Sequence, residues 1–203
     1  MKEDFLQAMQ FRHACKIFDA QRKIPDADLR FILEAGRLSP SSFGLEHWRF
    51  IVVRTQELKE KLKEACFNQV QLSTCSDAVV IAAKIEDLKP GSQYVEGRFA
   101  CLADRPEVLA WIRQFYADYY VKISVEQWSI TQCHIAAANM MMAAAVVGID
   151  SCPIGGMSVP KVMEALDLDG LKYVVSLILP FGYRLNPQPQ KHRLAFDEVV
   201  EFR

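Results

Sequence analysis

Two pairs of basic residues, one near each end of the chain, have the spacing needed to bind a phosphate group. Arg12 and Lys16 lie four positions apart, so they share one face if the segment is a helical turn. Lys191 and Arg193 lie two positions apart, so they share a face of an extended segment. A phosphate monoester requires several such charged donors. Standing alone, each pair is more typical of a solvated surface.

Two loops could present further polar groups to a ligand. The turn SPSSFG at residues 39–44 carries the hydroxyls of Ser41 and Ser42. The segment PIGG at residues 153–156 exposes backbone amides that no side chain blocks at its two glycines. In isolation the first is more typical of a helix-ending turn, and the second could merely cap the helix before it.

The familiar catalytic patterns are absent from the sequence. It contains no GxSxG, no HExxH, no Walker loop and no GxGxxG after a strand, so a hydrolase or a Rossmann dinucleotide site has no support. The four histidines and six cysteines show no metal-ligand spacing, and we expect no metal.

Length and charge limit the class of protein. A chain of 203 residues predicts one domain, and half of its residues are apolar, as in ordinary globular proteins. The net charge of −1 gives no broad footprint for nucleic acid or an anionic membrane, so neither is an expected partner. The first residues lack the apolar segment of a signal peptide, and scattered cysteines without a CxxC pair are typical of reduced thiols. We therefore expect a cytoplasmic protein.

Three apolar runs predict β-strands at residues 48–53, 77–83 and 173–182. Continuous runs of this kind suit strands that are covered on both faces. Helical spacing or capping signals predict helices at residues 4–15, 25–38, 56–66, 107–120 and 159–166. Residues 68–76 are irregular or form a short helix, and residues 84–106 form a loop. Helices around a few buried strands indicate a layered α/β or α+β domain.

One long segment, residues 127–148, lies at the centre of this arrangement. No charged residue occurs between Glu126 and Asp150, and alanine and methionine dominate. A helix that is apolar on nearly every side is predicted to be buried. Its length approaches that of a membrane span, but Gln132, His134 and Asn139 favour a buried helix in a soluble protein.

The order of these segments resembles the nitroreductase family of FMN-dependent NAD(P)H oxidoreductases. The resemblance covers nearly the whole chain, and around GIDSCPIGG it is closest to the oxygen-insensitive branch. It rests on RHACKIFD, LSPSSFGLEHWRFIVV, Asn68 ahead of DAVVIAAK, GIDSCPIGG and KHR, in that order.

The resemblance implies an α+β class and a three-layer α/β/α fold with a mostly antiparallel central sheet. It also implies a homodimer with the long core helix at the interface. Residues 1–203 would form a single FMN-binding domain, with a C-terminal extension from about residue 184 to 203 that packs on the partner subunit.

Roles for individual residues also follow from the resemblance. The FMN contacts that it implies come from Arg12, His13, Ala14, Lys16, Pro40, Ser41, Ser42, Glu46, Asn68, Gln71, Pro153, Ile154, Gly155, Gly156, Lys191 and Arg193. Residues 40–42 would reach the FMN of the partner subunit, and residues 153–156 would lie near the reactive N5 of the flavin. Phe43 and Tyr116 would contact the substrate, although clustered aromatic residues are more often core or interface.

Four positions depart from the family pattern. Ala14 replaces a frequent serine, Glu46-His47 replaces Gln-Pro, Gln71 replaces lysine and Gly155 replaces glutamate. A carboxylate at position 46 disfavours an anionic reduced flavin, and Gln71 removes a positive charge that would favour it. These departures concern flavin potential and reactivity toward nitro compounds more than FMN binding.

The implied reaction is a ping-pong transfer of hydride from NAD(P)H through flavin N5 to a small-molecule acceptor such as a nitroaromatic or a quinone. Because the flavin carries the chemistry, no side chain is assigned a catalytic role. Two alternatives stay open: a specialised flavoenzyme of the same superfold, and a non-catalytic flavin-binding module.

Overall fold

The computed structural model describes residues 2–203 as helices packed around one four-stranded antiparallel sheet. The strands are β1 (Trp48–Val53), β2 (Asp77–Lys84), β3 (Asp150–Ser151) and β4 (Tyr173–Gly182), in the order β1-β2-β4-β3. β2 and β4 occupy the centre, and their register shifts once between Ile81 and Ala82. The predicted α+β class with a central antiparallel sheet is confirmed.

Nine α-helices surround this sheet among the described residues. They are α1 (Lys2–Phe11), α2 (Asp26–Arg37), α3 (Gln56–Ala65), α4 (Gln71–Thr74), α5 (Gln93–Ala100), α6 (Pro106–Tyr120), α7 (Val125–Val146), α8 (Val159–Ala165) and α9 (Phe196–Val199). Short 3-10 turns occur at Ser42–Gly44 and Glu86–Leu88. The predicted strands and most predicted helices are confirmed, within a few residues at their ends.

Two apolar cores cover the two faces of the sheet, which is why the strands read as continuous apolar runs. Side chains of alternating direction on β2 separate them, since Val79 and Ile81 face one core and Ala78 and Val80 face the other. α2 and α7 cover the first face, and α3 and α8 cover the second. A third core joins α5, α6 and the start of α7.

α7 is only partly buried in a single chain, so burial on nearly every side would require a partner. Ala136, Ala137 and Met140 are buried against the sheet and α2, whereas Ile135 and Val146 lie on an exposed side. No described helix combines the length and apolarity that crossing a bilayer requires.

Two expectations need correction. α1 ends at Phe11 rather than continuing to residue 15, and its apolar side chains Phe5 and Leu6 are 54% and 62% exposed. Residues 84–106 contain α5, which begins where the Ser92 hydroxyl accepts a hydrogen bond from the amide of Val95. β3 and α9 were not predicted, because they are too short for a repeating pattern of apolar residues to indicate a strand or a helix.

Candidate functional site

The segment from Arg12 to Lys16 leaves α1 and runs beside β3. The amide of Cys15 donates to the carbonyl of Ser151 at 3.0 Å, and Ala14 pairs with Ser151 as a parallel bridge. Arg12 and Lys16 therefore do not lie on a helical turn, which corrects that expectation. Within this segment Ala14 forms the bridge to β3, whereas the amide of Arg12 still donates to the carbonyl of Ala8 and Lys16 lies in a bend.

The alternate positions of this segment point into the protein. Cys15 is buried, and His13 lies 3.6 Å from a carboxylate oxygen of Asp150. Asp150 also accepts hydrogen bonds from the backbone and side chain of Arg184, at 2.9 and 3.0 Å. Burial lowers the pKa of His13 below its usual value, so its ring is neutral near pH 7. His13 therefore supports the segment through its contact with the buried Asp150.

A chain of polar contacts connects Lys16 to the glycine loop. Lys16 Nζ and Gln71 Nε2 each lie 3.9 Å from the sulfur of Cys152. Gln71 also donates to the side-chain oxygen of Gln69 at 2.9 Å, and Gln69 donates to the carbonyl of Gly156 at 2.9 Å. The side chains of α4 and its preceding turn are thus tied to residues 152–156.

The loop at residues 153–156 is held at one point and open elsewhere. Ile154 is buried and exchanges backbone hydrogen bonds with Ile178, whereas Pro153, Gly155 and Gly156 are exposed. A Cβ atom at Gly155 would meet nothing within 4 Å. Asn68, which precedes α4, is exposed and adopts a left-handed φ of 59°.

The C-terminal tail brings two more positive charges to this region. Lys191 Nζ donates to the carbonyls of Met9 and Arg12. Its pKa is lowered by burial and then by the charges of Arg12 and Arg193. Arg12 and Arg193 therefore each lie close enough to Lys191 to disfavour its charge, and an anion bound there would be stabilised. We call these three residues with Lys16 the basic cluster.

A second group of predicted site residues forms a turn between α2 and β1. The amide of Ser42 donates to Gln132 Oε1 on α7, and the amide of Glu46 donates to Ser41 Oγ, both at 2.9 Å. Pro40 is exposed at the start of this turn. Phe43 and Glu46 adopt positive φ values of 56° and 44°, which ordinary residues seldom do. We call residues 40–46 the SPSS turn.

Among residues 2–203, no hydrogen bond or ion pair joins the basic cluster to the SPSS turn. The resemblance places residues 40–42 against the flavin of the partner subunit rather than that of their own.

The aromatic residues of α6 divide into a buried and an exposed set. Tyr116 is 1% exposed, donates to the carbonyl of Leu88 at 2.5 Å and packs edge-on against Phe43. It is a core residue in this chain, which corrects its expected place in a substrate pocket wall. Trp111 and Phe115 are exposed instead and stack with centroids 5.4 Å apart.

Several residues that position the site were not identified from the sequence. They are Lys84, Arg98, Gln132, Asp150 and Arg184. Gln132 could have been identified, because it is a polar amide within an uncharged helix. No sequence pattern indicates the pairing of Asp150 with Arg184, because it joins positions 34 residues apart. Residues 2–203 contain no group of three or more His, Cys, Asp or Glu side chains that could hold a metal ion.

Comparison with known proteins places this geometry in a family. The sequence model of the Nitroreductase family matches residues 9–183. The chain belongs to the Nitroreductase family. It is therefore an enzyme of the oxidoreductase class.

Relatives match this nitroreductase over its whole length. It is 37% identical over 217 residues to YfkO of Bacillus subtilis, provisionally named an NAD(P)H nitroreductase, covering 100% of this chain and 98% of the relative. A provisionally named NAD(P)H nitroreductase of Staphylococcus haemolyticus is also 37% identical, over 215 residues, with the same coverage.

Solved structures share the fold of this nitroreductase. A protein from Staphylococcus epidermidis, provisionally described as an NAD(P)H:FMN oxidoreductase, superposes with a TM-score of 0.83 at 27% identity, over 98% of this chain and 95% of that one. A nitroreductase-like protein from Exiguobacterium sibiricum, solved in complex with FMN, gives a TM-score of 0.83 at 22% identity, over 98% and 97% of the two chains. The second likeness concerns the fold alone.

Proposed function

We propose that this nitroreductase is an FMN-dependent NAD(P)H oxidoreductase that reduces nitroaromatics, quinones or similar acceptors by a ping-pong mechanism. One observation supports this most strongly. Lys191, near the C-terminal end of the chain, donates to the carbonyl of Arg12, near the N-terminal end, and the charges of Arg12 and Arg193 both lower its pKa. Such mutually repelling cations fit a bound phosphate.

The residues present fit FMN in the chemistry of their donors. Arg12, Lys191 and Arg193 would hold the phosphate, and Lys16 would extend the positive charge toward Cys152. Asn68 and Gln71 would supply amides to the ribityl chain or the ring edge. Bound FMN supplies the hydride chemistry, and the protein supplies position and charge. No side chain of the chain needs to act as a catalytic acid or base.

The glycine loop gives a flat ring and its substrates room to approach. Pro153, Gly155 and Gly156 are exposed, and a Cβ at Gly155 would meet open space. We therefore infer that the face above this loop admits NAD(P)H and the acceptor in turn. The exposed pair Trp111 and Phe115, with Phe43 in contact with Phe115, offers the aromatic wall that Tyr116 does not.

We infer that the enzyme is a homodimer built on the exposed side of α7. This side carries Ile135 and Val146, and α1 packs beside it with Phe5 and Leu6 exposed. An apolar surface of this kind is typical of a protein interface. A dimer would also bring the SPSS turn of one copy to the basic cluster of the other, which a single chain does not do.

The C-terminal extension, residues 184–203, fits the same arrangement. Its side chains Leu194, Phe196, Val199 and Phe202 are each more than 60% exposed. A groove of about 580 Å³ between α2 and β1 has an apolar floor, and its rim carries Arg37 and Arg54 paired with Glu34 and Asp26. The apolar floor suits the exposed apolar side chains of the extension. We propose that the extension packs on this groove of the partner.

The cysteines bear on the compartment in which the protein is found. All six cysteines are free thiols, and five are buried. Thiols persist in a reducing environment, which supports a cytoplasmic location.

A flavin absorbance spectrum tests the proposed function. The purified protein should be yellow, release FMN when denatured, and lose its absorbance near the visible maximum when NADPH or NADH is added without oxygen. Addition of a quinone or a nitroaromatic should then restore the colour. A colourless protein that FMN cannot reconstitute overturns the proposal, and flavin that NAD(P)H does not bleach indicates a binding module.

A further inference from the structure

We propose that Arg98 on α5 is the counter-ion of Glu46, fixing the SPSS turn and offsetting the effect of the Glu46 carboxylate on the reduction potential of bound FMN. The inference rests on the proposed function, because the proposed homodimer brings the SPSS turn, which carries Glu46, to the FMN site of the partner. It assigns a positioning role to a residue outside the flavin-binding segments.

The guanidinium of Arg98 holds the turn at two points. Its Nη2 lies 2.7 Å from Glu46 Oε1, and its Nε donates to the carbonyl of Gly44 at 3.1 Å. A planar guanidinium that makes two contacts fixes direction as well as charge. The Arg98 and Glu46 side chains are 32% and 38% exposed, so they remain accessible to solvent at one edge.

The turn needs such support because its backbone is strained. Phe43, Gly44 and Glu46 all have positive φ, and only glycine adopts this region readily. Residues in such conformations persist where their surroundings hold them. The two contacts of Arg98 fall on Gly44 and Glu46, at two of these three positions.

Two further side chains hold the same turn from below. Lys84 at the end of β2 donates to the carbonyl of Glu46 at 2.9 Å. Tyr94 on α5 donates to the carbonyl of Leu45 at 2.7 Å. Residues 44–46 are therefore held by three side chains, those of Tyr94 and Arg98 on α5 and that of Lys84 on β2. The position of α5 is therefore explained by the turn that it holds.

The charge of Arg98 matters because the turn carries a carboxylate. Reduction adds negative charge to a flavin ring, and a nearby carboxylate opposes it. With Arg98 at 2.7 Å, Glu46 belongs to a neutral pair. The pair can therefore hold the turn without depressing the reduction potential as an isolated carboxylate would.

The test is the midpoint potential of bound FMN in four proteins: the wild type, Arg98→Met, Glu46→Gln and the double variant. Arg98→Met should lower the equilibrium constant for flavin reduction about tenfold, or about 30 mV for a two-electron couple. Glu46→Gln should shift it in the opposite direction. The double variant should return close to the wild type, because both charges are then absent.

Arg113→Met is the matched control. Arg113 pairs with Glu96 at 2.6 Å and joins α6 to α5, so this variant loses an ion pair of the same kind without touching the turn. Its midpoint potential should equal that of the wild type. If Arg98→Met does not retain FMN, Glu46→Gln and the double variant decide the question, and Arg98→Lys shows whether charge alone suffices.

Equal potentials in all FMN-containing variants overturn this inference and leave the proposed function intact. A shift in Arg113→Met as large as that in Arg98→Met overturns it too. A wild type that binds no FMN overturns the proposed function, and this inference falls with it.

Discussion

Lys191 Nζ donates to the carbonyl oxygen of Met9 at 2.8 Å, which joins the C-terminal tail to the last turn of α1 across 182 positions of sequence. The last carbonyls of a helix lack partners within the helix, and a lysine there satisfies them. Lys191 therefore has two tasks. It anchors the end of α1 and places a positive charge next to Arg12.

Removal of the tail cations should weaken FMN binding. We expect Lys191→Ala combined with Arg193→Ala to raise the dissociation constant for FMN by about tenfold or more, because two charged phosphate donors are lost. The measurement is fluorescence titration of the apoprotein with FMN. Arg193→Ala alone separates the loss of charge from the loss of the anchor on α1.

Lys61→Ala with Arg105→Ala controls for net charge. These residues are exposed and lie outside the basic cluster. The double change removes two positive charges, as many as the tail variant loses. Its affinity for FMN should match the wild type. An unchanged affinity in the tail variant would remove the tail from the site.

The exposed side of α7 should carry the dimer. Ile135 is 39% exposed in a single chain, and Ile135→Glu would place a charge in the proposed interface, where an unpaired charge is costly. We expect this variant to sediment as a monomer and to lose FMN, because the SPSS turn of the partner would be withdrawn. Analytical ultracentrifugation measures the oligomeric state, and the flavin-to-protein absorbance ratio measures the FMN content.

Leu171→Glu is the control for this substitution. Leu171 is 78% exposed and precedes β4, on a loop away from α7. It should remain a dimer with full flavin content. A wild type that sediments as a monomer would refute the proposed assembly directly.

The strands illustrate what a single sequence can predict. β1, β2 and β4 each lie in an apolar run bounded by polar or turn residues, and these runs end almost where the strands do. α7 is predicted as a helix, and the resemblance places it at a dimer interface, but its composition does not show which side a partner would cover. A helix side that is covered by a second copy has the same apolar composition as one buried in the core. Sequence alone therefore cannot distinguish an interface side from a core side.

The sequence nominates candidate residues for the site but not the geometry that positions them. The spacing of Arg12 and Lys16 predicts a helical turn, whereas α1 ends at Phe11 and Ala14 forms a bridge to β3. The Glu46–Arg98 pair spans 52 positions and depends on a helix, α5, whose sequence shows little period. Contacts of this kind are set by tertiary packing, which local patterns do not encode.

The buried Asp150 should contribute strongly to stability. It is 3% exposed, and Arg184 meets it with a backbone amide and a guanidinium that also packs over Phe11. Asp150→Asn leaves the guanidinium without its counter-charge. Because Arg184 is partly exposed, we expect a loss of about 3 kcal/mol in the free energy of unfolding, at the lower end of the range for broken buried pairs.

Urea denaturation measures this loss, with Glu57→Gln as the control. Glu57 pairs with Lys61 on the solvent side of α3, where ion pairs contribute little. The control should unfold at nearly the wild-type midpoint. An Asp150→Asn protein as stable as the control would show that the buried pair does not hold β3 to the tail.

His47 should make the stability of the protein depend on pH. It is fully buried, packs edge-on against Trp128 at 4.4 Å, and its Nε2 lies 3.3 Å from the carbonyl of Ser42. A carbonyl only accepts, so Nε2 carries the hydrogen. Nδ1 is buried without a hydrogen-bond partner among residues 2–203. Burial, opposed by the Ser42 contact and aided by Lys84, lowers the pKa of His47 from 6.5 to about 4.

The sign of the effect follows from which state takes up the proton. Below about pH 6.5 the unfolded chain protonates His47 while the folded protein does not, so stability falls as the pH drops toward 4. We expect a loss of about 2 kcal/mol between neutral pH and pH 5. His47→Gln keeps a donor for Ser42 and cannot titrate, so urea denaturation should show a shallower pH dependence for this variant. Parallel pH profiles of the two proteins would rule out His47 as the titrating group.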